Sequence, residues 1–93
     1  MSSTDLKKQT TLTEFRKIPG VGKSIAEDFW NLGYRSVDEL VGKDPEQLYA
    51  QLCTQMGCHV DRCMLYVFRC AVYYATEKNP EAELLKWWNW KDA

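Results

Sequence analysis

A chain of 93 residues has room for one domain around one modest core and none for a second. Hydrophobic residues make up 45% and charged residues 27%, and four Trp, five Tyr and three Phe can fill an interior, which excludes general disorder. A net charge of −1 with a pI near 5.8 argues against tight, sequence-independent nucleic-acid binding, which rests largely on phosphate neutralisation.

In chain order, Met1 to Thr10 is rich in Ser, Thr, Lys and Gln with one sizeable apolar residue, Leu6, and is expected to be a flexible tail. The domain proper is then residues 11–93. Thr11-Leu12-Thr13-Glu14 has the spacing of a capping box and predicts a first helix from Thr11. Pro19 ends it, because a proline pushes its predecessor, Ile18, out of the helical region. A second helix follows Gly22 and runs to about Leu32, with Ile25, Phe29 and Leu32 on one face, Lys23, Glu27 and Asn31 opposite, and Gly33 as its stop. Ser36-x-x-Glu39 repeats the capping spacing and predicts a short third helix.

Asp44-Pro45 reads as an N-cap followed by proline in the first helical position, opening a helix to about Gln55 that buries Leu48, Tyr49 and Leu52 and stops at Gly57. The segment from about Val60 to Thr76 is apolar around most of its circumference, interrupted by the stripe Arg62, Tyr66, Arg69 and Tyr73. Such a helix must be surrounded, so it is the expected spine of the fold. Asn79-Pro80 predicts a last helix through Leu84, Leu85, Trp87, Trp88 and Trp90. No segment alternates with a period of two for long enough to be a strand. The expected class is all-α: a single compact bundle of about five or six short helices.

The chemistry concentrates between Phe15 and Ala26. Gly20 and Gly22, flanking Val21, permit positive φ and close approach by another backbone. Behind them starts a helix whose first turn carries unpaired N–H groups and the positive end of the helix dipole. A tight glycine turn feeding a helix N-terminus makes an anion site from main-chain amides. Val21 points inward in this reading, and Lys17 and Lys23 bracket the opening. The alternative is a tight interhelical turn whose glycines serve packing alone. Glu27 and Asp28, one turn into the helix, oppose a phosphate if they face it.

The run Ile18-Pro19-Gly20-Val21-Gly22-Lys23-Ser24-Ile25-Ala26 resembles the helix-hairpin-helix pattern of hydrophobe, Pro, Gly, hydrophobe, Gly, basic, two variable positions and Ala. With Asp61-Arg62-Cys63, Leu65-Tyr66-Val67-Phe68-Arg69 and Leu84-Leu85-Lys86-Trp87-Trp88-Asn89-Trp90, the chain from about Thr11 onward resembles the bacterial pathogenicity locus helix-hairpin-helix family. It is more distantly similar to the C-terminal domain of the competence regulator TfoX. The resemblance implies a helix-hairpin-helix element that grips DNA backbone phosphates without reading bases. Carried over by position, the contacts are Gly20, Gly22, Lys23 and Ser24, with Val21 locking the hairpin and Lys17 nearby. A second candidate hairpin, Met56-Gly57-Cys58-His59-Val60, lacks the Gly-x-Gly pattern.

Other constellations are weaker. Cys53, Cys58, His59 and Cys63 stand as Cys-x4-Cys-His-x3-Cys, which is not a strong zinc spacing, so thiols without metal or cofactor are expected. Adjacent Cys58 and His59 have diverging side chains and no orienting third group, and no P-loop or dinucleotide fingerprint occurs, so no enzyme is expected. The stripe on the spine helix is read as arginines paired with carboxylates of a neighbouring helix, with an interface as the alternative. Trp87, Trp88 and Trp90 are read as a lid on the core, at least two of them largely buried, against an exposed surface for stacking bases. The apolar stretch Cys63–Ala75 is too short to span a bilayer and Met1–Gln9 has no secretory pattern, so a cytoplasmic protein with no membrane partner is expected. Three functions remain open: a DNA-backbone-binding module working through the hairpin, a protein-docking module in which the hairpin is only structural, and, ranked below both, a metal or thiol site at Cys53, Cys58, His59 and Cys63.

Overall fold

The computed structural model describes residues 3–91, with side chains from Leu6 onward. Among the described residues there are four α-helices, three short 3-10 turns and no strand. The helices are α1 (Ser3–Arg16), α2 (Lys23–Asn31), α3 (Pro45–Met56) and α4 (Cys63–Thr76). The 3-10 turns are Val37–Leu40, Ala82–Leu85 and Trp87–Trp90. The all-α class stands; the expected five or six helices resolve into these four and the turns.

Helix α1 starts at Ser3, about two turns before the capping box at Thr11. Thr11 is mid-helix, where its hydroxyl donates to the Arg35 carbonyl at 3.3 Å. The hydroxyls of Thr10 and Thr13 donate back to the carbonyls of Leu6 and Gln9, at 3.0 and 2.9 Å. Thr10, the last residue of the stretch that reads as a tail, thus bonds back to the helix's own carbonyl, and the stretch from Ser3 is helical. The tail residues Met1 and Ser2 lie outside the described residues.

The Asp44-Pro45 signal behaves as its chemistry dictates. Asp44 Oδ1 accepts the Glu46 amide at 2.9 Å, and Gly57 closes α3 in the left-handed conformation. At Ser36 the side chain makes no cap; Glu39 Oε2 instead accepts the Arg35 amide at 3.2 Å, and a 3-10 turn forms where a helix was expected. Helix α4 begins at Cys63, not Val60, because Asp61 Oδ1 accepts the Cys63 amide at 2.9 Å and fixes the start there.

The expected last helix is absent. In an α-helix the carbonyls of Glu83 and Leu84 would accept amides four residues on. Here they accept side chains, Asn89 Nδ2 at 2.7 Å and Trp90 Nε1 at 2.8 Å. Lys86 is extended between the two resulting turns.

Helix α4 is the spine, packing against α3, the Val37–Leu40 turn and both C-terminal turns. Leu65, Phe68, Cys70 and Ala71 on it are fully enclosed. Three phenylalanines run through the centre: Phe15 of α1 lies 5.2 Å from Phe29 of α2, and Phe29 lies 5.3 Å from Phe68 of α4. All three have no exposed surface. Tilted rings at such spacings add to the area term, and Phe29 joins α2 to both neighbours. Phe29→Ala is therefore expected to cost about 3–5 kcal/mol in urea unfolding, and a loss under about 1 kcal/mol would remove the ladder from the centre of the fold.

Candidate nucleic-acid interface

The residues from Ile18 to Val21 form a tight turn, closed by the Val21 amide donating to the Ile18 carbonyl at 3.0 Å. Proline second and glycine third, with Gly20 at φ +87°, match a type II turn. Ile18 and Val21 are both buried, so the ends of the turn anchor in the core and its tip faces outward. The inward Val21 expected from the sequence is thus observed.

Two contacts hold the turn from outside the hairpin. Trp87 lies where a Gly20 side chain would go: a Cβ there would sit 3.0 Å from Trp87 Cδ1. The buried Cys70 thiol of α4 lies 3.8 Å from the Pro19 carbonyl and 3.7 Å from that of Leu84, and burial pushes its pKa up. Gly20 is accordingly required both by its backbone angle and by a close neighbour.

Gly22 is different. Its φ of −96° and ψ of −169° are open to any residue, and a Cβ built on it meets nothing within 4 Å. The expectation that both glycines serve positive φ is corrected here: only Gly20 does. Gly22 occupies the N-cap position of α2 without a side-chain cap. The first intrahelical bond is Ala26 N–H to the Gly22 carbonyl at 2.9 Å, so the amides of Lys23, Ser24 and Ile25 precede the ladder. Gly22, Lys23 and Ser24 are exposed.

The electrostatics are mixed. Lys17 is exposed but its ammonium is 3.0 Å from Glu14 Oε1, an exposed pair that screening keeps weak. Lys23 forms no ion pair among the described residues. Asp28 has its pKa raised, first by burial and then by the charge of Glu27. A raised carboxylate favours the fold below its ordinary value of about 3.9, and that contribution fades as pH climbs through the folded value.

The remaining candidates separate. Cys53 is partly buried, Cys58 and Cys63 are exposed, and His59 lies outside α4. No three His, Cys, Asp or Glu side chains among the described residues are placed to share a metal. On the α4 stripe, Arg69 reaches Glu46 of α3 at 2.9 Å and the Trp90 carbonyl at 2.8 Å, the scaffold role expected of it. The Tyr73 hydroxyl accepts the Glu81 amide at 2.8 Å. The expectation that at least two of the three C-terminal tryptophans are largely buried is corrected: Trp87 and Trp90 are only partly buried and Trp88 is 50% exposed, because the segment forms 3-10 turns on the surface of α4 instead of a packed helix.

Sequence reasoning missed the seat of Trp87 on Gly20 and the reach of Cys70 to Pro19, since nothing local links positions so far apart. It also missed Arg35, whose guanidinium lies 3.6 Å from the centre of the Trp30 ring while Nη1 donates to the Trp30 carbonyl at 2.7 Å. Trp30, Arg35, Leu6, Lys7, Thr10 and Thr11 line a cleft of about 680 Å³. No helix among the described residues is long and apolar enough to cross a membrane.

A small all-α protein with a glycine turn feeding an uncapped helix N-terminus is the class that fold and site define. The chain belongs to the pathogenicity locus (Cdd1) family, which it matches over residues 8–93. It is also similar to the mitomycin resistance protein McrB of Streptomyces lavendulae, with 32% identity over 72 residues. That alignment covers 77% of this chain, and the chain spans only 63% of the length of that relative. No solved structure gives a significant match.

The two glycines should respond oppositely to alanine. Gly20→Ala forces a side chain into the left-handed region and onto Trp87, and should cost about 1–3 kcal/mol or more in urea unfolding. For Gly22→Ala, a poorer cap is offset by a stiffer unfolded chain, and the net change should stay within about 0.5 kcal/mol. Equal losses at both positions would contradict these assignments.

Proposed function

We propose that the segment from α1 to α2 is a helix-hairpin-helix element and that the chain is a non-enzymatic module holding the DNA backbone weakly and without regard to sequence. The observation that carries this reading is Gly22. Neither backbone angle nor packing calls for glycine there, yet its missing side chain leaves the first-turn amides of α2 open. Backbone amides at a helix N-terminus suit a phosphate oxygen, and Lys23 and Ser24 stand beside them. The contacts are Gly20, Gly22, Lys23 and Ser24, with Val21 anchoring the turn and Lys17 adding charge once it leaves Glu14. Likeness to helix-hairpin-helix proteins rests on the residues Ile18 to Ala26, and the more distant likeness to the TfoX C-terminal domain on these together with the segments Asp61 to Arg69 and Leu84 to Trp90. With a net charge of −1, few phosphates are neutralised and the affinity is low.

A second reading, a protein-docking module with a purely structural hairpin, draws on the cleft beside Trp30, which pairs an apolar wall with the cations of Lys7 and Arg35. Salt separates the two on DNA. Fluorescence anisotropy of a labelled duplex should show saturable binding that weakens about tenfold between about 50 and 200 mM salt if about two phosphates are contacted. Gly22→Asp supplies an N-cap carboxylate in the place of the phosphate. It should leave the melting temperature unchanged or about 1–3 °C higher while abolishing binding. Absence of binding at the lowest salt, or undiminished binding by Gly22→Asp, would overturn the DNA reading.

A further inference from the structure

Among the exposed large hydrophobic residues, Trp88 is the aromatic one, half of its surface facing solvent. It is not a loose side chain on a loose segment. The Trp87–Trp90 turn that carries it is pinned by Asn89 Nδ2 on the Glu83 carbonyl, Trp90 Nε1 on the Leu84 carbonyl and Arg69 on the Trp90 carbonyl, at 2.7 to 2.8 Å. Trp90 also packs against Tyr73 of α4, with ring centres 5.5 Å apart and planes tilted by 48°.

The position of this pedestal matters more than its rigidity. Trp88 meets Trp87 edge-on, with ring centres 5.8 Å apart and planes at 85°. Trp87 in turn lies against Gly20, its Cδ1 3.0 Å from where a Cβ on that glycine would sit. The exposed indole therefore stands one ring away from the hairpin tip, on the same body. Trp87 packs against the core and Trp90 is engaged by Tyr73, Arg69 and the Leu84 carbonyl, whereas Trp88 leaves its indole half in water beside them. An indole held beside a phosphate-binding loop is suited to one ligand chemistry in particular, a nucleobase whose flat face is free. In a flush duplex those faces are stacked on their neighbours and out of reach.

We infer that Trp88 is a stacking platform for an unpaired nucleobase on a DNA strand whose backbone is held at the Gly20–Ser24 hairpin, so that single-stranded or gapped DNA is preferred over intact duplex. This rests on the DNA-backbone reading above and adds the substrate class to it. The hairpin supplies attraction to any phosphate, and the indole supplies discrimination by whether a base is free. Stacking is tolerant of base identity because every base has a π face, so the preference is for unpaired structure and not for sequence.

The test compares the full chain with Trp88→Ala and Trp88→Phe, each checked for folding by circular dichroism. The probes are a labelled thymidine strand, an abasic strand with the same number of phosphates, and a blunt duplex. The wild-type chain should bind the thymidine strand about fivefold or more tightly than the abasic strand. Trp88→Ala should erase that difference while leaving abasic-strand and duplex binding unchanged, and Trp88→Phe should keep most of it. Equal wild-type binding to thymidine and abasic strands, still sensitive to Gly22→Asp, would overturn the stacking role and leave the backbone reading standing. A Trp88→Ala loss of equal size on all three probes would likewise overturn it, marking the residue as structural. Failure of the wild-type chain to bind any of the three at low salt would overturn both.

Discussion

The ladder of Phe15, Phe29 and Phe68 is the constraint on which the rest of the molecule depends. It passes through α1, α2 and α4 in turn, so it fixes how the two arms of the hairpin lie on the spine helix. Ile18 and Val21 then bury the two ends of the connecting turn in the same core. With both ends fixed, the tip has little freedom left, and the backbone must accept a positive φ at Gly20. A preorganised amide site needs such fixing, because a loop ordered only on contact spends part of its binding energy on its own ordering.

The C-terminal turns complete the same device from the other side. Trp87 rests on Gly20 and Cys70 reaches the Pro19 carbonyl, so the turn is sandwiched between its own helices and the end of the chain. Those turns are irregular because side chains take the carbonyls that would have propagated a helix. Irregular backbone of this kind lets tryptophans from neighbouring positions point in different directions, one onto the hairpin, one onto α4 and one toward solvent. The division of labour between the glycines follows. Gly20 is held by its positive φ and by Trp87, whereas neither backbone angle nor packing calls for glycine at position 22.

Much of this was legible in the residues because the signals were local. Asp44-Pro45 and Gly57 bracket α3 through capping chemistry that needs no tertiary partner, and the near-continuous apolar character of α4 announced a surrounded helix. The turn at Ile18–Val21 was equally visible, since proline and glycine at adjacent positions specify it. Where the reading departed from the structure, a distant group had intervened. Thr11 lost its capping role to a helix that began earlier and to the Arg35 carbonyl, and the last helix gave way to side chains of Asn89 and Trp90. Sequence pattern could not separate the roles of Gly20 and Gly22, because the difference lies in a tryptophan far along the chain. The pairing of Arg69 with a carboxylate of a neighbouring helix was expected from the stripe, while its particular partners, Glu46 and the Trp90 carbonyl, are set by the tertiary packing.

The central claim is that the first-turn amides of α2 receive a phosphate. The most direct measurement is an amide-resolved nuclear magnetic resonance titration of the protein with a short DNA duplex at low salt. The largest shifts should fall on the amides of Gly22, Lys23, Ser24 and Ile25, decline through α2, and reverse when salt is raised. Shifts gathered instead around Leu6, Trp30 and Arg35, or none at all, would contradict it.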